Sequence, residues 1–163
     1  MVDNVHFSSD ETKWETPDNF FEHVQESLIT DINFDVCATP DNAKCDEFFT
    51  PSDDALSQPW PRLKDNYICW MNPPYGREIV YWVKKAAEES QEGSCIVALL
   101  PCRTDTRWWH DYVMGQVTKI YLVKGRLKFK GAQHSAPFPS CVVVYTSSNF
   151  RVPLLSTIER GRE

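Results

Sequence analysis

Tyr67-Ile68-Cys69-Trp70-Met71-Asn72-Pro73-Pro74-Tyr75-Gly76 is the stretch on which the reading of this chain turns. Tyr67 to Met71 is an uninterrupted apolar run, short enough for a buried strand, and Asn-Pro-Pro stops it abruptly. Downstream, Ile79, Val83, Ala86 and Ala87 recur at helical spacing, and Gly93 closes that helix. Cys95 to Leu100 is again apolar throughout, as expected of a central strand covered by helices on each side. A short helix over 106–114 follows, then strands near 117–123, 127–129 and 141–145. Upstream, Thr16-Pro17-Asp18 reads as a helix start, with a hydroxyl cap, proline at the first helical position and an acid in the first turn. Phe20, Val24 and Leu28, with Phe21 beside them, give that helix one apolar face. A short strand at 33–37 ends in the turn cluster Thr39-Pro40-Asp41-Asn42, and a weaker strand is expected at 45–50. Strand, helix, strand and then a hairpin-like end predict an α/β sheet, mostly parallel, with an antiparallel C-terminal hairpin. In such sheets ligands bind beyond the carboxyl ends of the strands, where 35–42 and 72–76 both fall.

The 163 residues suit one domain, expected over 14–150, with a flexible N-terminal arm at 1–13 and a C-terminal tail at 151–163. An apolar content of 42%, with 6 Trp, excludes a disordered chain. No apolar run approaches the roughly 20 residues of a membrane span, and the N-terminus carries no signal-peptide pattern, so a soluble, cytoplasmic protein is expected. The 6 cysteines contain no CxxC, and the 4 histidines are scattered. Neither a disulfide framework nor a metal site is predicted, and a reducing compartment fits.

The net charge of −6 conceals an asymmetry. Residues 1–60 hold 14 acids and 2 bases, whereas 61–163 hold 9 acids and 15 bases. Lys119, Lys124, Arg126, Lys128 and Lys130 follow one another with no acid between them. Such a run either meets a polyanion or forms a solvated face, and charge alone does not choose.

The chemistry is concentrated at Asn72-Pro73-Pro74-Tyr75. Two prolines remove two backbone donors and leave carbonyls as acceptors. Asn72 adds an amide oxygen, and Tyr75 adds a flat ring with a polar tip. At a strand end this arrangement accepts hydrogen bonds from an NH₂ group and stacks a planar ring; the simpler alternative is an Asn-Pro turn.

Asn-Pro-Pro-Tyr matches the (D/N)PP(Y/F/W) motif of S-adenosylmethionine-dependent amino methyltransferases. The ordered set Trp14-Glu15-Thr16-Pro17, Asp35-Val36-Cys37-Ala38, Asp54-Ala55-Leu56, Asn72 to Gly76, Leu100-Pro101-Cys102-Arg103 and Pro137-Phe138-Pro139-Ser140 resembles the phage-type Dam-like DNA N6-adenine methyltransferases. The resemblance covers about residues 14–146. It implies a Rossmann-like methyltransferase fold, methyl transfer to adenine N6 in DNA, and a phage or prophage origin with action in the host cytoplasm. Asn72 and the Pro73 carbonyl would accept from N6, Pro74 would complete the motif, and Tyr75 would stack on a base flipped out of the duplex.

The resemblance further implies S-adenosylmethionine as methyl donor, with no metal. Asp35 would meet its ammonium group, with Cys37 and Ala38 beside it in the loop. Asp35 could instead simply cap that turn. Trp14, Thr16 and Pro17 would flank the same pocket, besides any part they take in starting a helix, and Asn72 would border the cofactor as well. Asp53 or Asp54, with Asp54 favoured, would read the adenosine, and Phe48 or Phe49 could line it. For DNA, Arg103, Arg107, Lys128 and Lys130 would reach phosphates, and Phe129 or Phe138 would pack on the flipped base or in the core. Two departures from the family pattern stand out. The Asp35 loop has no glycine, and only 37 positions separate Asp35 from Asn72 (72 − 35), so an abbreviated sheet is expected. Methylation of an RNA adenine or a protein glutamine, or a non-catalytic DNA-binding relative, would use the same motif or fold.

Overall fold

The computed structural model describes residues 14–147 and 152–161, so the arm expected at 1–13 lies outside the described residues. Helix α1 (Asp18–Leu28) is followed by strands β1 (Phe34–Asp35), β2 (Glu47–Phe48) and β3 (Cys69–Met71). Then come helix α2 (Ile79–Gln91), strand β4 (Ile96–Pro101), helix α3 (Arg107–Tyr112) and strands β5 (Lys119–Val123), β6 (Ser140–Tyr145) and β7 (Leu154–Ile158). They form one sheet in the order β2-β1-β3-β4-β6-β5-β7. β2, β1, β3 and β4 are mutually parallel, β6 runs antiparallel to both β4 and β5, and β5 pairs in parallel with β7. The expected α/β sheet is present, and the antiparallel element near the C-terminus is β6.

The apolar runs become the centre. Every residue of β3, β4 and β6 is buried. Side chains alternate across the sheet. On one face Trp70 packs edge-on against Phe21 of α1, with ring centroids 5.1 Å apart. On the other, the Tyr145 hydroxyl donates to the Tyr112 carbonyl of α3 at 2.8 Å, and α2 packs against α3 and β6. Ile79, Val83, Ala86 and Ala87 form the buried stripe of α2 that their spacing predicts. That helix is anchored through Glu89, whose carboxylate accepts from Arg62 at 2.7 Å, Lys85 at 2.6 Å and the Trp60 amide at 3.1 Å.

Three sequence expectations are corrected. Leu127 to Phe129 is irregular rather than a strand, although Leu127 and Phe129 are buried; the backbone beyond it meets the N-terminal segment in an isolated bridge between Glu15 and Lys130. Within the C-terminal tail expected at 151–163, Leu154–Ile158 instead forms the outer strand of the sheet, one backbone edge paired with β5. Finally, α1 starts one residue later than read, with Pro17 at its N-cap and no side-chain cap. The Pro17 carbonyl accepts from the Phe21 amide, and the Thr16 hydroxyl is engaged elsewhere.

The abbreviated region is visible between β1 and β3. The chain there forms β2 and two 3-10 turns, Pro51–Asp53 and Leu63–Asp65, with no α-helix. Beyond the end of α1, its side of the sheet is open. A groove of about 580 Å³ there is lined by Leu28, Ile68, Val97, Val144, Val152 and Leu154. It lies where the parallel strands begin, at the opposite edge of the sheet from Asp35 and Asn72 to Gly76.

Candidate active site

Because β1, β3, β4 and β5 run in one direction, the segments that follow them emerge at one edge. That edge carries Asp35, Asn72 to Gly76, Arg103, and the 124–139 connection with Lys128, Phe129, Lys130 and Phe138. The Glu15–Lys130 bridge brings Trp14 and Thr16 to the same edge.

Asn72 directly follows β3. Its side-chain nitrogen donates to the Trp14 carbonyl at 2.6 Å and to the Thr16 hydroxyl at 3.0 Å. Its carbonyl oxygen Oδ1 is buried and has no partner among the described residues. A buried acceptor without a donor costs on the order of 1–3 kcal/mol, so its presence calls for a ligand donor or an explanation. Pro73 is buried and Pro74 half-buried, and the chain then turns at Gly76, whose φ of +114° disfavours any other residue.

Tyr75 is only 8% exposed, and its hydroxyl donates to the Leu99 carbonyl of β4 at 3.1 Å. The polar tip therefore points into the sheet instead of presenting itself at the pocket. Burial raises its pKa well above the ordinary tyrosine value, so the phenol stays neutral. Its ring belongs to an aromatic cluster with Phe138 (5.6 Å), Phe129 (6.2 Å) and, through both of these, Trp14 at 5.3 Å from each. Phe129 is core, at 1% exposure, whereas Phe138 and Trp14 are half-buried and border the cluster.

Asp35 ends β1 and is 3% exposed. One oxygen accepts from the Cys37 amide and the other from the Lys44 amide, each at 3.1 Å. It does cap its own loop, therefore, while each oxygen keeps acceptor capacity for a second donor. Burial pushes its pKa up to about 6, against the lowering effect of those two amides and the Lys44 charge. Beside it Cys37 is half-buried and Ala38 buried, its amide donating to the Phe49 carbonyl at 3.1 Å. Phe49 packs on Phe34 with ring centroids 4.9 Å apart. The glycine-free loop is thus built from side-chain and cross-loop hydrogen bonds, including Thr39 N–H to the Asn42 side chain at 2.8 Å.

Asp53 and Asp54 are both exposed and behave differently. One Asp53 oxygen accepts from the Thr50 amide at 2.7 Å and its hydroxyl at 2.8 Å, closing a 3-10 capping box. Asp54 follows with φ +51°, and its carboxylate has no such engagement among the described residues.

Among the basic candidates, Arg103 lies 3.8 Å from Asp105 and Arg107 3.4 Å from Asp111, pairs that leave Arg107 94% exposed. Lys128 is exposed. Lys130 differs, because its ammonium is 3.1 Å from Asp18, which also holds Lys44 in a short contact. Those two lysines hold the Asp18 carboxyl below the ordinary carboxylate range. Sequence reasoning missed Lys44 and the role of Asp18; their contact spans 26 residues and has no local signature.

Among the described residues no group of three or more acidic, histidine or cysteine side chains is arranged to hold a metal, and no helix is long and apolar enough to cross a membrane. Free thiols account for all six cysteines, with Cys69, Cys95 and Cys141 buried as their apolar surroundings predict.

Comparison with known proteins gives the same direction. The family model described as DNA N-6-adenine-methyltransferase (Dam) matches residues 5–160. A DNA N-6-adenine-methyltransferase of Haemophilus phage HP1 is 26% identical over 121 residues, which is 74% of this chain and 68% of that protein. One from Escherichia phage T1 is 30% identical over 98 residues, 60% of this chain and 39% of the relative, so the chain spans well under half of that protein. With a match over nearly its whole length, the chain belongs to the DNA N-6-adenine-methyltransferase (Dam) family, and with it to the adenine-specific DNA methyltransferases.

Proposed function

We propose that this protein transfers the methyl group of S-adenosylmethionine to N6 of an adenine in DNA, with the base withdrawn from the duplex into a pocket at Asn72 to Tyr75. The observation that carries the reading is the buried Oδ1 of Asn72, without a partner among the described residues, beside two proline residues that bring no N–H. An exocyclic NH₂ supplies the missing donor. Accepting both of its hydrogens, at Asn72 Oδ1 and the Pro73 carbonyl, turns the nitrogen lone pair away from the purine ring and aims it at an electrophile. Bound S-adenosylmethionine supplies that electrophile as a sulfonium methyl group.

The N6 proton becomes acidic only as the new C–N bond forms, so the protein needs acceptors and no strong base. Asp35, ionised above about pH 6, suits the cofactor's ammonium group. Cys37 and Ala38 would line that loop, Trp14, Thr16 and Pro17 would flank it, and Asp54 is better placed than Asp53 to read a ribose because Asp53 is engaged by Thr50. Tyr75, backed by Phe129, would stack on the flipped adenine, with Phe138 at its border. Arg103, Arg107 and Lys128 would meet phosphates, with Lys130 shared between Asp18 and the DNA.

The test is transfer of labelled methyl to unmethylated DNA, to RNA and to a glutamine peptide, by wild type and Asn72→Ala. Label at DNA adenine N6, reduced by on the order of 10²- to 10³-fold in Asn72→Ala with cofactor binding retained, is the expected result. Label confined to RNA or peptide would replace the substrate, and cofactor binding with no transfer to any acceptor would mark a non-catalytic relative.

A further inference from the structure

The orientation of the Asn72 amide is dictated by its neighbours. A peptide carbonyl can only accept, and the Trp14 carbonyl lies 2.6 Å from the amide atom facing it, so that atom is the NH₂. Its second N–H is taken by the Thr16 hydroxyl at 3.0 Å. A flipped amide would set two acceptor oxygens at that 2.6 Å separation. The segment that supplies these partners is itself tied down: the Lys130 amide donates to the Glu15 carbonyl at 2.9 Å, and Asp18 is held by Lys44 and Lys130. Thr16 is 3% exposed and contributes no helix cap.

We infer that Thr16 and the Trp14 carbonyl are positioning groups that spend both donors of Asn72, hold its Oδ1 toward the substrate as a pure acceptor, and make this chain depend on an amide at position 72. The inference rests on the reading of Asn72 as an N6 acceptor. Thr16 thereby acts on the chemical step through Asn72, a different role from the cofactor contact that its sequence motif implies. The dependence on an amide has its own signature. A carboxylate at position 72 would face the Trp14 carbonyl with an anion. A protonated carboxyl would donate to that carbonyl and still offer one oxygen as acceptor. Asn72→Asp is therefore active when protonated and loses activity as pH rises. The titratable and charged groups on the elements around position 72 include Glu15, Asp18 with its partners Lys44 and Lys130, Asp35 and Cys37 after β1, and Tyr75, Arg77 and Glu78 on its own loop. All of them are present in wild type, so the ratio of variant to wild-type rate isolates position 72.

The experiment is single-turnover methyl transfer to DNA between about pH 5.5 and 8.5 (roughly 1.5 units either side of neutrality), with cofactor affinity by calorimetry. It compares wild type, Thr16→Val, Thr16→Ser and Asn72→Asp. Thr16→Val should slow transfer by about tenfold, the loss of one hydrogen bond, with cofactor affinity changed little. Thr16→Ser should restore the rate, and the Asn72→Asp ratio should fall with rising pH. Loss of cofactor affinity at an unchanged rate in Thr16→Val, or a flat Asn72→Asp ratio, would overturn the inference. A readout independent of activity is the ¹⁵N-labelled side-chain amide of Asn72, assigned by its disappearance in Asn72→Ala. Both protons should be protected from solvent exchange in wild type and one should lose protection in Thr16→Val. If wild type failed to methylate DNA while that protection pattern held, the functional reading would fall and the amide lock would stand. If neither proton were protected, the lock itself would fall.

Discussion

Lowering the pH from 8 to 5 should weaken binding of S-adenosylmethionine by about tenfold, and Asp35→Asn should abolish that dependence. Asp35 is buried, its two oxygens each accept one backbone N–H, and burial holds its pKa at about 6. At pH 8 it is ionised and can engage an ammonium group. One unit below its pKa it is about nine-tenths protonated, and only the ionised tenth is competent, which gives the tenfold factor. Loss of one charge-assisted hydrogen bond, about 1.5–3 kcal/mol, should weaken binding by Asp35→Asn roughly 10- to 150-fold at pH 8. Folding cannot mimic this effect. A carboxyl whose pKa is raised in the native state, from 3.8 to about 6, binds its proton more tightly folded than unfolded. Its contribution to stability therefore rises as pH falls from about 6 toward 3.8, and above about 6 it costs the native state up to about 3 kcal/mol. Calorimetric titrations at matched ionic strength over this range would decide the matter. A wild-type affinity that stays constant from pH 8 to pH 5, or an Asp35→Asn variant that binds like wild type, would refute the assignment of Asp35 to the cofactor.

The other expectations separate stability from function. Glu89→Ala strands Arg62 and Lys85 and should destabilise the fold by about 3 kcal/mol, lowering the midpoint of thermal unfolding by about 10 °C. Phe129→Ala empties a core position and should cost about 3–5 kcal/mol in denaturant unfolding. Phe138→Ala, half-buried at the border of the cluster, should leave the unfolding midpoint nearly unchanged and weaken DNA substrates instead; the reverse pattern would exchange their roles. In DNA binding measured against salt, Lys128→Ala and Arg103→Ala should each reduce the slope of log affinity by about 1, and Lys130→Ala by less because Asp18 already neutralises it.

What could be read in advance follows from how local each signal is. β3, β4 and α2 were legible because apolar runs and helical periodicity report burial directly, and their buried residues match the pattern. The shared edge of the candidate site was legible too: once strands end at Asp35 and Met71, a parallel sheet brings Asp35 and Asn72 to one side. Thr16 was misread because the local rule for a hydroxyl before a helix competes with a tertiary partner, and Asn72, 56 residues away, wins. Leu127 to Phe129 alternates like a strand, yet its apolar residues are buried in an irregular connection that, among the described residues, forms a β-bridge at Lys130 and no ladder. Leu154 to Ile158 has strand composition, but a strand with four of five residues exposed carries no burial signal to set it apart from a tail. The contacts from Asp18 to Lys44 and Lys130 depend wholly on the fold.

The N-terminal segment has a consequence for how the gene can vary. Its tethers fall on residues 14, 15, 16 and 18: the Trp14 carbonyl and Thr16 hydroxyl hold Asn72, the Glu15 carbonyl holds Lys130, and Asp18 holds two lysines. Two of these groups are backbone carbonyls, which no side-chain replacement removes, so an alanine scan through Trp14 and Glu15 would pass over them. A single-codon insertion or deletion between positions 14 and 18 would instead put the tethers on one side of it out of register with those on the other. This stretch of the reading frame therefore has to preserve its length as well as the side chains at 16 and 18.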